Sequence, residues 1–406
     1  METINLCLIT PEFLPIWGGT ASYVIELSKN LPKEVEIHVV TLKREFPGMC
    51  KFDSKCDPAS IFNRNVNIHY ISKGTETFFY NLGFQIACLR KIPQLYKEYG
   101  FDILHSQFGH MSDAFLQLFR KIPIPVVTTV HGTIRLVKEI SSMSCTRFSE
   151  MEWSEKQLII YYPFLRTLER IYAKYMSKFI AVSDAVKNRI IKDLNVDPGK
   201  ISRVFNGVDT DLFCMRNNHE MEKKYSKPTV VFMGRMMSKK GIHVLIKAIP
   251  QILLEEPETH FFFIGGGNIS FYVEMTRKMG IPKTNFSFIG HADYFARSRF
   301  LREATVCVNP SFYECFSLSI LEAMSSGTAV VASDVGGNPE MIKSGKNGIL
   351  IPPCNSKILA KSIVSLLENE NLNKRIGNEA RRTVEKSFSS KKCASETYNI
   401  YKKTIS

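Results

Sequence analysis

Apolar residues in this chain come in short unbroken runs, separated by stretches long enough to hold a helix. Ile4–Thr10, Glu36–Leu42, Val66–Ile71, Asp102–Ser106 and Pro125–His131 read as strands. A further strand starts at Lys178 and ends at Ser183, which sits where a helix N-cap belongs, and Ile201–Phe205 continues the series. A polar stretch from Met215 to Lys227 reads as a linker. A second series then opens, with strands at Thr229–Met233, His260–Ile264, Phe286–Gly290, Val306–Asn309, Thr328–Ser333 and Lys346–Pro352. Strands that alternate with helices in this way argue for doubly wound, mostly parallel sheets. A length of 406 residues suits two or three domains, and the two strand series point to two.

The most informative stretch runs from Pro310 to Ser333. It reads as strand, tight loop, short helix, glycine stop and second strand. Ser317 falls at the N-cap position, Gly327 at the helix C-terminus, and Leu318, Leu321, Ala323 and Met324 supply the apolar face. A helix whose first turn faces a loop after a strand offers backbone N–H groups and a partial positive charge to a phosphate. Glu314 in the loop and Glu322 inside the helix bracket that seat, and carboxylates accept hydrogen bonds from sugar or ribose hydroxyls.

Other strand ends carry matching chemistry. Gly18-Gly19 follows the first strand and precedes a helix expected from Ala21 to Leu31, a layout in which backbone can approach an anion closely. His131-Gly132 ends a strand at its carboxyl edge, where ligands sit in open α/β sheets. Gly234-Arg235 and Lys239-Lys240-Gly241 place cations at a strand-to-helix turn. The guanidinium can bind a diphosphate bidentately and the ammonium as a point charge. Gly265-Gly266-Gly267 is not a dinucleotide fingerprint, because Ser270 stands where the third glycine would fall.

Taken together, these motifs resemble the retaining glycosyltransferases of the GT-B type, and family 4 among them. The resemblance rests on Glu314-x7-Glu322 with its framing strands, Gly234-Arg235…Lys240-Gly241, Asn206-Gly207-Val208-Asp209, Gly18-Gly19 and His131, in the family's order from Gly18 to Pro352. It implies two Rossmann-like domains facing across a cleft, with a C-terminal helix crossing back to the first. The expected boundaries are 1–212 plus 390–406 for the acceptor-side domain and 213–389 for the donor domain. It also implies roles. Arg235 and Lys240 would neutralise a diphosphate leaving group, Glu322 would bind ribose, and Glu314 with His131 would orient the donor sugar. Gly18, Gly19, Phe316, Ser317 and Leu318 would reach the phosphates, Ile289 with His291 would flank the base, and Gly336, Gly337 and Pro339 would close the sugar pocket. Cys315 and Ser317 depart from the pattern, standing where many relatives carry glycine. Where such a position needs positive φ, a side chain costs on the order of 1 kcal/mol.

Composition narrows the setting. The formal net charge of +14 suits phosphate substrates or an anionic membrane, and no nucleic-acid motif accompanies it. The stretch Phe78–Tyr99 mixes aromatic residues with Arg90, Lys91 and Lys97. It reads first as a core-packed helix with solvated charges and second as a basic face for a membrane surface. The aromatic-rich segment from Thr133 to Lys178 suits an acceptor-facing role. Ten cysteines without CxxC pairs or zinc spacing, Cys50 and Cys56 included, suggest reduced thiols in a cytoplasmic chain. A mean hydropathy of −0.07 and no apolar run near ~20 residues argue against membrane insertion.

The expected function is transfer of a sugar from a nucleoside-diphosphate sugar, UDP first and GDP second, to a hydroxyl of a lipid-linked, saccharide or small-molecule acceptor, with retention. No metal or separate cofactor is expected, and an anionic membrane is a candidate partner. The rival readings are a GT-B epimerase acting on the nucleotide sugar and a non-catalytic nucleotide-sugar-binding or membrane scaffold.

Overall fold

A computed structural model describes residues 3–406 apart from 15–17, 45–60, 63–65, 75–81, 120–121, 144–152 and 216–226. The chain divides into two compact units. One comprises 1–137, 158–207 and 390–406, and the other 138–157 and 208–389. Most of the expected linker, the aromatic start of the Phe78–Tyr99 stretch, and Cys50 and Cys56 lie outside the described residues.

The first unit is built on a seven-stranded parallel sheet. Its strands are β1 (Ile4–Ile9), β2 (Val35–Arg44), β3 (Val66–Gly74), β4 (Ile103–Gln107), β5 (Val126–Val130), β6 (Lys178–Ala181) and β7 (Ile201–Arg203). The spatial order is β3-β2-β1-β4-β5-β6-β7. β1 pairs with β2 from Ile4↔Val35 to Ile9↔Val40 and with β4 from Leu6↔Ile103 to Ile9↔Ser106. β4 and β5 are buried at every position, as parallel strands covered on both faces must be.

The helix after β1 spans Gly19–Asn30, not Ala21–Leu31: Gly18 is its N-cap, and Ser22 N–H donates to the Gly18 carbonyl at 2.8 Å. The helix Ser390–Ile405 joins this unit. Cys393, Ala394, Tyr398, Ile400 and Tyr401 share one core with Tyr23, Val24 and Leu27 of the Gly19–Asn30 helix and with strand residues such as Leu6, Leu8 and Ile103.

The described part of the Phe78–Tyr99 stretch is a helix from Leu82 to Tyr99 that packs Phe84, Gln85, Cys88 and Ile92 inward. Arg90, Lys91 and Lys97 are exposed.

The second unit carries a six-stranded parallel sheet. Its strands are β8 (Thr229–Met233), β9 (His260–Ile264), β10 (Phe286–Gly290), β11 (Val306–Asn309), β12 (Ala329–Ser333) and β13 (Ile349–Ile351), in the order β10-β9-β8-β11-β12-β13. The helix Ile242–Glu255 buries Leu245, Ile246, Ile249 and Ile252. In each sheet the strand order reverses once, between β1 and β4 in the first and between β8 and β11 in the second. Loops leaving the carboxyl ends of strands at such a reversal splay apart and leave a crevice for ligands. That rule directs attention to the residues after β1, β4, β8 and β11.

No described helix is long and apolar enough to cross a membrane.

Candidate functional site

In the second unit, the loops after β8 and β11 meet. After β8 the backbone passes Gly234 and Arg235, makes one 3-10 turn at Ser238–Lys240 and enters the Ile242–Glu255 helix through Gly241, at φ +71°. The Phe312 N–H donates to the Lys239 carbonyl at 2.9 Å, fastening this loop to the one after β11. Gly241 lies so near the second loop that a Cβ there would sit 1.9 Å from the Pro310 carbonyl oxygen. The Gly265–Gly267 turn braces the first loop from the other side, since a Cβ on Gly265 would fall 2.0 Å from the Gly234 oxygen. Gly265 and Gly267 therefore serve close backbone packing against the Arg235 loop, the latter because its Cβ would meet the Met236 oxygen at 2.7 Å.

This approach brings Lys240 Nζ to 2.7 Å from Glu314 Oε1. The same oxygen accepts from Ser311 Oγ at 2.7 Å and from Asn309 Nδ2 at 3.4 Å. Glu314 is 8% exposed, so its charge is offset by a cation and two neutral donors instead of water. From below, the Gly337 N–H donates to the Glu314 carbonyl at 2.9 Å. A Cβ on Gly336 would meet that carbonyl oxygen at 2.0 Å. The Gly336-Gly337 pair thus clamps the backbone of the Glu314 loop.

The helix Leu318–Ser325 begins at Ser317, as expected, yet the Ser317 hydroxyl does not cap it. It pairs sideways with Ser319 Oγ at 3.0 Å and accepts from Asn309 Nδ2 at 3.3 Å. The first-turn N–H groups are therefore not taken up by the Ser317 side chain. At the other end Gly327 N–H donates to Met324 and Thr328 N–H to Ala323, a Schellman stop. Ile320, not Leu318, completes the buried face; Leu318 is half-buried. Cys315 and Ser317 cause no backbone strain, because positive φ among described non-glycine residues occurs at Met111, Asn195 and Cys354.

Glu322 is 2% exposed and lies 3.2 Å from Arg297 Nη1, a cation on the helix Tyr294–Glu303. Arg235 is exposed, and Ile289, at the end of edge strand β10, is 40% exposed. Arg297 and Asn309 were not singled out from sequence. The pairings 297–322 and 309–314 cross elements and follow no spacing rule, although Asn309 does end the strand that leads into Glu314.

In the first unit, His131 follows β5 and Gln107 ends β4. His131 Nε2 lies 3.0 Å from Gln107 Oε1, and the His131 ring meets Tyr23 edge-on at 5.0 Å. Behind them, Thr129 Oγ1 bridges Tyr23 OH at 3.0 Å and His105 Nε2 at 2.8 Å, and His105 Nδ1 reaches Tyr401 OH on the C-terminal helix. Burial, with His131 nearby, pushes the His105 imidazole down to about 3, so it is neutral at physiological pH. Gly18 lies against the Glu12 carboxylate, where a Cβ would stand 2.9 Å from Oε2.

In the Thr133–Lys178 segment, Tyr161 and Phe164 are 53% and 67% exposed, whereas Tyr172 is buried. No cluster of three or more metal-ligating side chains occurs among the described residues.

Two family models match consecutive stretches. Residues 17–212 match the glycosyltransferase family 4 model, and residues 216–383 match the glycosyl transferases group 1 model. The chain belongs to the group 1 and family 4 glycosyltransferases. An uncharacterized glycosyltransferase of Methanocaldococcus jannaschii is 25% identical over 98% of each chain. The phosphatidyl-myo-inositol mannosyltransferase of Mycobacterium tuberculosis is 27% identical over 74% of each. Among solved structures, Anabaena HepE in complex with UDP and glucose matches with a TM-score of 0.74 at 18% identity, over 98% of this chain and 99% of that one. This glycosyltransferase thus has the GT-B fold, two parallel-sheet α/β domains, as its motifs implied.

Proposed function

We propose that the protein moves a sugar from a nucleoside-diphosphate sugar to an acceptor hydroxyl with retention of anomeric configuration, and that the second unit holds the donor. The observation that carries this reading is the meeting of Lys240 with Glu314 at the β8/β11 reversal, with a buried Glu322 in the helix that follows Glu314.

In this reading the diphosphate lies over the start of the Leu318–Ser325 helix, within reach of the Phe316–Leu318 amides and of Arg235 and Lys240. Lys240 then bridges leaving group and Glu314, and Glu314, held by three donors, presents its second oxygen to sugar hydroxyls. Glu322, fixed by Arg297, accepts from the ribose. Gly18 and Gly19 add backbone donors, and Ile289 flanks the base. His131 is the residue of the first unit that serves the sugar. Bond cleavage is assisted by cations already in place where the leaving group's charge grows, so little reorganisation is required. No nucleophilic side chain is assigned.

UDP is the first nucleotide to test, because HepE binds it, and a lipid-linked acceptor is suggested by the mycobacterial mannosyltransferase. The test is a thermal-shift panel with UDP, GDP and ADP, followed by proton NMR of the sugar product. A ligand at about a hundred times its Kd adds roughly 2.7 kcal/mol of stability. A shift with one nucleotide and a product of unchanged anomeric configuration are expected. Folded protein that ignores all three nucleotides refutes the donor site, and an inverted product refutes retention. Loss of the donor sugar's configuration without any acceptor would establish an epimerase instead.

A further inference from the structure

Gln107 is the last residue of β4 and 1% exposed. One end of its amide faces His131 Nε2 at 3.0 Å, while the other end, Nε2, is buried without a hydrogen-bond partner. An unmatched buried amide hydrogen is a standing penalty to the fold. Neither packing nor the sheet demands it here, since the β4–β5 ladder is made by backbone and an apolar side chain of similar volume would carry no such penalty. The described partner that sets the orientation of this amide is therefore the histidine.

The consequence follows from donor and acceptor chemistry. With the amide oxygen, which only accepts, turned to His131, the neutral imidazole carries its proton on Nε2 and its lone pair on Nδ1. The Tyr23 ring, edge-on at 5.0 Å and 75°, limits rotation of the imidazole about this bond. We propose that Gln107 is a positioning residue that holds His131 in the Nε2–H tautomer and so makes Nδ1 the acceptor presented to a sugar hydroxyl. This rests on the reading of His131 as a residue of the reaction.

The tautomer can be read without any substrate, from long-range proton–nitrogen correlations of histidine-labelled protein. The nine histidines are sorted by the signal lost in His131→Ala. The wild type should show His131 protonated at Nε2. Gln107→Leu should give a mixture of tautomers, a melting temperature no lower than that of the wild type, and a fall of about tenfold or more in turnover. Gln107→Glu, which keeps an accepting oxygen, should restore the Nε2–H form and raise the titration midpoint of His131 by about one pH unit or more. An Nδ1–H tautomer in the wild type, or a His131 signal indifferent to Gln107→Leu, overturns the proposal. Wild-type turnover by His131→Ala refutes the reading of His131 itself and leaves the tautomer measurement standing, so the two failures are distinct.

Discussion

Gly241 offers the sharpest test of how the donor site is assembled. It has φ +71°, and its α-hydrogen points at the Pro310 carbonyl, 1.9 Å from where an alanine Cβ would lie. Ordinary contact begins at 3.4 Å, so Gly241→Ala must push the two loops apart by about 1.5 Å. The left-handed backbone adds about 1 kcal/mol and the overpacking about 1–3 kcal/mol, giving roughly 2–4 kcal/mol of destabilisation. The same displacement draws Lys240 away from Glu314, and a misplacement of about 1 Å in a binding group can lower activity about a hundredfold.

Gly280 is the matched control: it has φ +68° with nothing within 4 Å of its missing Cβ, so Gly280→Ala carries only the backbone term of about 1 kcal/mol. Denaturant unfolding and calorimetric titration with whichever nucleotide shifts the wild type separate the two effects. If folded Gly241→Ala binds that nucleotide as tightly as the wild type and unfolds like Gly280→Ala, the loop–loop contact does not build the site.

Arg235→Ala should slow sugar transfer about a hundredfold or more while leaving the melting temperature near that of the wild type, because the side chain is exposed. Arg297→Met should destabilise the second unit by about 3 kcal/mol, since the cation held against buried Glu322 is lost, and should weaken nucleotide affinity; unchanged unfolding would refute the pairing. In the first unit His38 Nδ1 lies 3.0 Å from His69 Nε2, with Glu36, Asn67, Glu98 and Tyr99 around them. Burial lowers both imidazoles, against the attraction of Glu36 for His38, so the folded state resists protonation that the unfolded chain accepts. Stability is then full above the ordinary histidine value of about 6.5 and falls as pH drops below it; His69→Gln should flatten that limb in a pH series of urea melts. Glu169 has the opposite sign. Burial raises its carboxyl to about 8, so the stability of its protonated form is lost as pH rises from 4.5 towards 8, and Glu169→Gln should abolish that loss.

Both sheets were legible because parallel strands covered on two faces must be apolar at successive positions, and the runs Val306–Asn309 and Thr229–Met233 coincide with strands. The backbone parts of the site were legible too, since Gly241, Gly327 and Gly336 mark φ values that other residues avoid. Side-chain partnerships were not. Lys240 reads as a phosphate ligand from its turn, but nothing in the spacing of residues 240 and 314 announces that they pair. Ser317 shows the limit of local rules: the position is an N-cap, yet Asn309 and Ser319 compete for its hydroxyl and win. Gln107 and Arg297 sit in ordinary strand and helix sequences and acquire meaning only from what the fold sets beside them.

The Ser390–Ile405 helix has a consequence for how the molecule is made. The core around Leu6, Tyr23 and Ile103 includes Ala394, Tyr398 and Tyr401. During synthesis that core stays incomplete after Gly207 has left the ribosome, for about ten to forty seconds at ~5–20 residues per second. Meanwhile 208–389 emerges as an unbroken stretch that makes up most of its unit. The unit whose strands are translated before Gly207 is thus the one that must wait, with the apolar surface beneath the absent helix open to chaperones and proteases until residues 390–406 have emerged.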